Sequence, residues 1–196
     1  MARMPNPTST RDRIVRAASR LFAERGYGAT SLSDVAESCG VLKGNLAYYF
    51  RTKPDLLGAV MQDRQDRLWE ALVHGVEPGA PPRVMIGRLL EHVRTTADDL
   101  ARFGCPFGSL STELGKSAAA VPDGGRSLVA LQDFLHAQLA RVMPAVEAQH
   151  AAEYLLAILQ GAAVVSHAHR DPQITQRLVD TVEEWLDRLF ERGGDG

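Results

Sequence analysis

Between residues 43 and 53 the chain sets out Lys43, Gly44, Asn45, Tyr48, Tyr49, Arg51 and Lys53. These residue types donate hydrogen bonds to base edges and neutralise phosphates, the two tasks of a duplex reader. On a helix from Lys43 to Phe50, Leu46 and Phe50 fall on the inner face and Lys43, Gly44, Asn45, Tyr48 and Tyr49 on the outer one. Thr52, Lys53 and Pro54 then open a long helix near Asp55, whose free amides, with Arg51 and Lys53, suit one backbone phosphate. Bond-making chemistry has little to stand on. No nucleophile motif, phosphate loop or metal signature is present, and no cofactor is expected. Ser166 beside His167 lacks a strand-turn context and an oriented acid, so an enzyme would rest on scattered Ser, His and Asp alone. His167 and His169, two residues apart, do not share a helix face, and no metal site is expected there.

Placing those outward residues requires a helix-turn-helix. Ser31 followed by Asp34 starts a first helix, in which Leu32, Val35, Ala36 and Cys39 recur at helical spacing up to Gly40. Small Ala36 lets the two helices cross closely, Gly40 permits the turn, and Leu46 plugs the angle between them. Helices this short need neighbours. One is predicted upstream, capped by Thr8, Ser9 or Thr10, carrying Ile14, Ala17, Ala18, Leu21 and Phe22 inward and ending at Gly26. Its other face presents Arg11, Arg13, Arg16 and Arg20, either to phosphates or to solvent. Arg11, closest to the N-terminus, is the candidate DNA contact.

With 196 residues and 45% hydrophobic content, the chain can bury a large core or a small domain beside a larger one. The whole-chain charge of −2 conceals an asymmetry: residues 1–55 hold nine Lys or Arg against five acids, +4, leaving −6 for the rest. A basic motif-bearing segment suits phosphate neutralisation, although scattered surface charge reads the same way. No run approaches a membrane span, Met1–Pro7 lacks a signal-peptide core, and the two cysteines form neither a disulfide framework nor a metal-ligand spacing. A cytoplasmic location is expected.

Ile14-x-x-Ala17-Ala18-x-x-Leu21-Phe22 with Gly26-Tyr27, Thr30-Ser31-Leu32-x-x-Val35-Ala36, Gly40-Val41-x-Lys43-Gly44-Asn45-Leu46 and Phe50-Arg51-Thr52-Lys53-x-Asp55-Leu56-Leu57 form one extended pattern. It resembles the tetracycline-repressor (TetR) family of one-component bacterial regulators over the N-terminal third. The resemblance implies that Ser31 touches a phosphate, that Lys43, Gly44 and Asn45 approach bases or backbone, that Tyr48 or its neighbour Tyr49 contacts a phosphate, and that Lys53 anchors one. The chain departs from the pattern at Leu42, where a capping Ser is common, and at Ala47, where an aromatic is common.

The expected fold is all-α with about nine helices: a three-helix helix-turn-helix DNA-binding domain over 1–55 and a larger helical ligand-binding and dimerisation domain over 56–196. In the second part, 84–100 reads as one helix burying Met85, Leu89, Val93 and Thr96, and Pro106 starts another. Val121 to Gly125 separates that helix from a helix of Leu128, Leu131, Leu135 and Leu139. An apolar helix follows from Ala145 to His169, then a last helix striped by Ile174, Leu178, Val182, Trp185 and Leu189, with a frayed tail from Glu191. Cys105, just ahead of a helix start, is either a sensor thiol or a small buried hydrophobe. Candidate effector-pocket residues are Met61, Trp69, Leu89, Phe103, Cys105, Phe107, Phe134, Tyr154 and Ile158. The family likeness implies a homodimer through the last two helices, with Tyr154, Leu155, Ala162, Val165, Leu178, Val182 and Trp185 at its interface, reading a near-palindromic operator. A regulator of this kind, a repressor, leaves its operator when a small-molecule effector favours another conformation, with the 55–73 helix as lever. The alternative is an architectural or cell-division DNA-binding protein without an effector.

Overall fold

The computed structural model describes residues 9–115 and 125–193, and every regular element among them is helical. The cap candidate Thr8, the Met1–Pro7 segment, the separator at 121–124 and the last three tail residues lie outside the described residues. Ten helices follow in order: α1 (Thr10–Arg25), α2 (Leu32–Ser38), α3 (Lys43–Tyr49), α4 (Lys53–Val73), α5 (Pro82–Thr95), α6 (Ala97–Phe103), α7 (Pro106–Gly115), α8 (Arg126–Leu139), α9 (Ala145–His169) and α10 (Pro172–Gly193).

Two compact units result, one reaching Asp66 and taking in a stretch from Leu110, the other holding the remainder. The division anticipated after residue 55 thus falls inside α4. In the first unit, three helices begin with the same device. Ser9 and Asp12, Ser31 and Asp34, and Thr52 and Asp55 each exchange side-chain and backbone hydrogen bonds, satisfying two amides that a helix start leaves open. α2 ends in the glycine turn expected of it: Gly40 sits at φ +65°, its amide reaches the Glu37 carbonyl, and the Val41 amide reaches the Ala36 carbonyl. α3 follows at once, its cap residue Leu42 contributing no side-chain bond, as the missing Ser implied.

Ile14, Ala18, Val35, Ala36, Leu46, Phe50, Leu56, Leu57 and Val60 close the core of this unit. Arg13 donates to the Cys39 carbonyl at 2.6 Å and Arg20 to Ser38 Oγ at 2.7 Å. These two cations, though exposed, brace the electronegative C-terminal end of α2. Arg64 on α4 holds both the hydroxyl and the carbonyl of Ser19 on α1.

The second unit buries Leu68, Leu72, Ile86, Leu89, Leu90, Leu131, Leu135, Leu139, Ala148, Ala152, Leu155, Leu159, Val179, Val182 and Leu186 in one cluster. α9 is its axis, packed against α6, α8 and α10. By length and mean hydropathy, 1.2 over its best window, α9 could cross a membrane, contrary to the reading that no run comes close. Its Ala148, Ala152, Leu155 and Leu159 instead belong to the intramolecular core. Arg94 on α5 forks to Asp180 at 2.6 Å and Glu183 at 2.8 Å on α10, and Arg83 pairs with Asp187.

Three details depart from the sequence expectations. The 84–100 helix breaks at Thr96, whose hydroxyl donates to the His92 carbonyl. The buried face of α5 is Ile86, Leu89 and Leu90, leaving Met85 and Val93 half-buried. In α10 the innermost residues are Thr175, Val179, Val182 and Leu186, so Ile174, Leu178, Trp185 and Leu189 flank the buried line. Thr175 Oγ1 is fully buried and, among the described residues, has no hydrogen-bond partner. Thr175→Val, which keeps the branched shape and removes the stranded hydroxyl, is expected to raise unfolding free energy by about 1 kcal/mol in a denaturant titration; a lowered midpoint contradicts this.

Candidate nucleic-acid interface

α3 turns one residue inward and the rest outward. Leu46 is 1% exposed, whereas Lys43, Gly44, Asn45, Ala47, Tyr48 and Tyr49 are all exposed. Tyr48 stands 84% exposed, its ring edge-on to Tyr49 at 5.3 Å. A solvent-facing pair of tyrosines is costly for a surface that meets only water. Gly44 is informative for another reason: a Cβ added there meets nothing within 4 Å. Packing within the chain does not require the missing side chain at 44, which instead leaves room for something outside to approach the backbone.

Beside α3 lies an open concavity of about 460 Å³, walled by residues 28–33 and by Lys43 and Lys53. Lys43 and Lys53, both expected to face DNA, line this one hollow. Ser31 also lines it, but its amide and hydroxyl are committed to Asp34 at 2.7 and 2.6 Å. A phosphate contact through that hydroxyl would have to compete with the cap. Arg11 is exposed, its guanidinium 5.5 Å above the Phe50 ring, at the end of α3.

Lys53 is held from several sides. Its Nζ donates to the Gly28 carbonyl at 3.2 Å and stands 4.2 Å from the centre of the Tyr27 ring. Partial burial pulls its pKa below the ordinary lysine value, while the charges of Glu113 and Asp34 push it back up. Glu113, on α7, was not anticipated. One carboxylate oxygen accepts from the Tyr27 amide at 3.0 Å and the other from the Gly28 amide at 2.5 Å. Burial and this carboxylate together raise the Tyr27 hydroxyl pKa. A contact across 86 residues has no local sequence signal, and none in the segment around Glu113 pointed to it.

The remaining candidates scatter. Met61 is buried in the first unit. In the second, Leu89 is buried in the core, Trp69 meets Phe134 edge-on at 5.4 Å, and Phe107 and Ile158 pack half-buried against the same cluster. Phe103 lies under the Arg102 guanidinium. Cys105 is half-buried, its sulfur accepting from the Gly108 amide at 3.4 Å. Tyr154 is 52% exposed and leans on Trp185 at 5.5 Å, so it belongs to an outer helix face rather than to a pocket wall. Of the interface candidates, Leu155, Ala162 and Val182 are at most 2% exposed, being consumed by the protomer's own core. Tyr154 and Val165 remain outside, with Val164, 66% exposed, alongside them; Leu178 and Trp185 are half-buried.

Residues 14–60 match the family model described as "Bacterial regulatory proteins, tetR family". A helix-turn-helix transcriptional repressor, KstR2, of Mycolicibacterium smegmatis is 38% identical over 63 residues, 32% of this chain and 31% of that protein. A helix-turn-helix regulator encoded in the lacX 3' region of Lactococcus lactis is 24% identical over 95% of this chain and 98% of its own length. A solved TetR regulator from Legionella pneumophila superposes with a TM-score of 0.78 at 16% identity, covering 91% of this chain and 98% of that one. One from Agrobacterium tumefaciens reaches 0.76 at 21% identity over the same shares. The fold of both units is therefore a known one.

The cap of α2 carries a pH signature. Hydrogen bonds from Ser31 hold the Asp34 carboxyl below the ordinary value of 3.8. A carboxyl lowered on folding adds stability that is fully present above 3.8 and lost as pH falls through the lowered value. The stability gap between wild type and Asp34→Asn is expected to be constant near neutrality and to close in acid. A gap of equal size at both ends of the titration excludes the charged cap.

Proposed function

The chain belongs to the tetR family of bacterial regulatory proteins, and from that premise we propose that it is a homodimeric repressor that leaves its operator when a small molecule binds the larger unit. One observation carries the DNA half of this reading. α3 buries Leu46 and offers Lys43, Gly44, Asn45, Tyr48 and Tyr49 to solvent beside a hollow edged by Lys43 and Lys53. The outer face of a seven-residue helix reads few base pairs, so two copies on a two-fold axis are needed for a near-palindromic site. The repressor sign is supported by the printed name of the Mycolicibacterium relative.

Dimerisation is supported by α9, whose solvent side runs Tyr154, Ala157, Gly161, Val164 and Val165, a stripe of apolar and small residues on the opposite side from its core face. The effector half is supported by the half-buried pair of Trp69 and Phe134, which offers apolar contacts and is not fully packed away. The effector acts by preferring a conformation whose paired recognition helices no longer match successive major grooves, α4 being the helix that runs from the first unit into the second. A regulator of this type works in the cytoplasm.

Selection of genomic fragments by the purified protein at physiological salt is expected to return a near-palindromic site. Lys53→Ala should weaken all duplexes about equally and reduce the salt slope by about one. Uniform retention of all fragments by the wild type favours an architectural protein, and a changed sequence preference in Lys53→Ala removes that lysine from the phosphate role. Val165→Arg is expected to shift the sedimenting species from two chains to one; an unchanged dimer places the interface elsewhere.

A further inference from the structure

We propose that Glu113 is a positioning residue for the DNA phosphate site: its carboxylate fixes the Tyr27–Gly28 backbone, and that backbone in turn presents Lys53. The inference rests on the DNA-binding reading above and adds a residue that lies far from the helix-turn-helix in sequence.

The geometry is a relay of four contacts within the first unit. Glu113 Oε2 and Oε1 each take one amide, from Tyr27 and Gly28. Tyr27 then supplies the ring face 4.2 Å from Lys53 Nζ, and Gly28 supplies the carbonyl that accepts from the same Nζ at 3.2 Å. Both groups that locate the ammonium are thus carried on the two residues whose amides the carboxylate holds. Charge-assisted bonds to a carboxylate are stronger than those between neutral groups, so the loop is stiffer than its own turn would make it. The ring at 27 is also fixed from the α1 side by its edge contact with Phe22 at 5.3 Å.

Glycines flank the carboxylate. Gly26 lies at φ +84°, and a Cβ there would come within 3.5 Å of Glu113 Oε2. A Cβ at Gly28 would come within 3.1 Å of Oε1, closer than ordinary contact allows. At Gly28 the carboxylate thus lies close enough that an added Cβ would have to displace it by a few tenths of an ångström. A negative charge so near a phosphate hollow opposes DNA by simple Coulomb repulsion. Its presence is explained if it acts through geometry, ordering a lysine that would otherwise sample many rotamers before meeting a phosphate.

The opposing effects give opposite signs, which makes the experiment decisive. The full chain and its Glu113→Ala, Glu113→Asp, Lys53→Ala and doubly substituted Glu113→Ala/Lys53→Ala forms are titrated with one mixed-sequence duplex, long enough for two helical turns, across a salt series. Positioning predicts that Glu113→Ala weakens binding about tenfold and lowers the salt slope by about one, the loss of one phosphate contact. It also predicts partial rescue in Glu113→Asp and no further loss of slope in the double variant. A merely structural role reduces the active fraction and leaves the slope as in wild type, which overturns the proposal. So does tighter binding by Glu113→Ala, which would mean repulsion dominates.

Gly28→Ala tests the same contact with the carboxylate intact and is expected to fall between wild type and Glu113→Ala; wild-type behaviour counts against the relay. Amide hydrogen exchange, read without DNA, should quicken at Tyr27 and Gly28 in Glu113→Ala by about tenfold while α1 stays protected. Unchanged exchange overturns the relay. Should the wild-type chain bind no duplex at any salt, the DNA reading itself fails, and this inference with it.

Discussion

A helix of seven residues does not offset its own nucleation cost in water, and α2 and α3 are both that short. What surrounds them supplies the difference. Leu46 is driven into the angle between them, the Gly40 turn fixes how one leaves and the other enters, and α1 and α4 close the core around Val35, Ala36 and Phe50. Arg13 and Arg20 neutralise the carbonyl end of α2, and its start is closed by the Ser31–Asp34 exchange. With its inner surface so constrained, α3 can leave nearly every other side chain to solvent. The proposed recognition rests on that rigidity, because a base edge is read only by donors already in place.

The electrostatics of the hollow beside α3 follow from the same economy of contacts. Lys53 is partly buried and engaged by a carbonyl and an aromatic face, an arrangement that costs hydration and lowers the ease of charging the ammonium. Glu113 and Asp34 supply the counter-charge. A carboxylate from α7 thereby takes part in a surface whose basic excess, by charge count, belongs to the N-terminal 55 residues.

The second unit solves a different problem. α9 must serve the protomer core on one side, yet its other side remains apolar, with Tyr154, Val164 and Val165 in solvent. Small residues on the inner side, Ala148, Ala152, Ala162 and Ala163, let neighbouring helices come close, and the fork from Arg94 to Asp180 and Glu183 ties α5 to α10. A helix of this composition satisfies the length and hydropathy of a membrane span, but its buried residues are shared with the surrounding helices in one continuous cluster.

Local chemistry made much of this legible beforehand. The Ser31–Asp34 start, the cap candidate Ser9, the helix opening at Thr52, the glycine stops at 26 and 40, and the prolines at 106 and 172 lie within a few residues of the helix ends they define. Such signals are short-range, so residues 31–53 could be read nearly to their final form, including which of Leu46 and Lys43 faces in. The faces of α5 and α10 were less legible, because each stripe is wider than one line of residues and neighbouring helices choose its centre. Leu155, Ala162 and Val182 show the same limit: periodicity marks them as apolar, and only packing tells that their own protomer consumes them. The all-helical class, the helix-turn-helix and the outward residues of α3 can be read from residue order, since these follow from spacing within one or two turns. Tertiary structure alone decided that Glu113 meets the Tyr27–Gly28 backbone, since a contact spanning 86 residues depends on how whole helices pack and leaves no periodic trace along the chain.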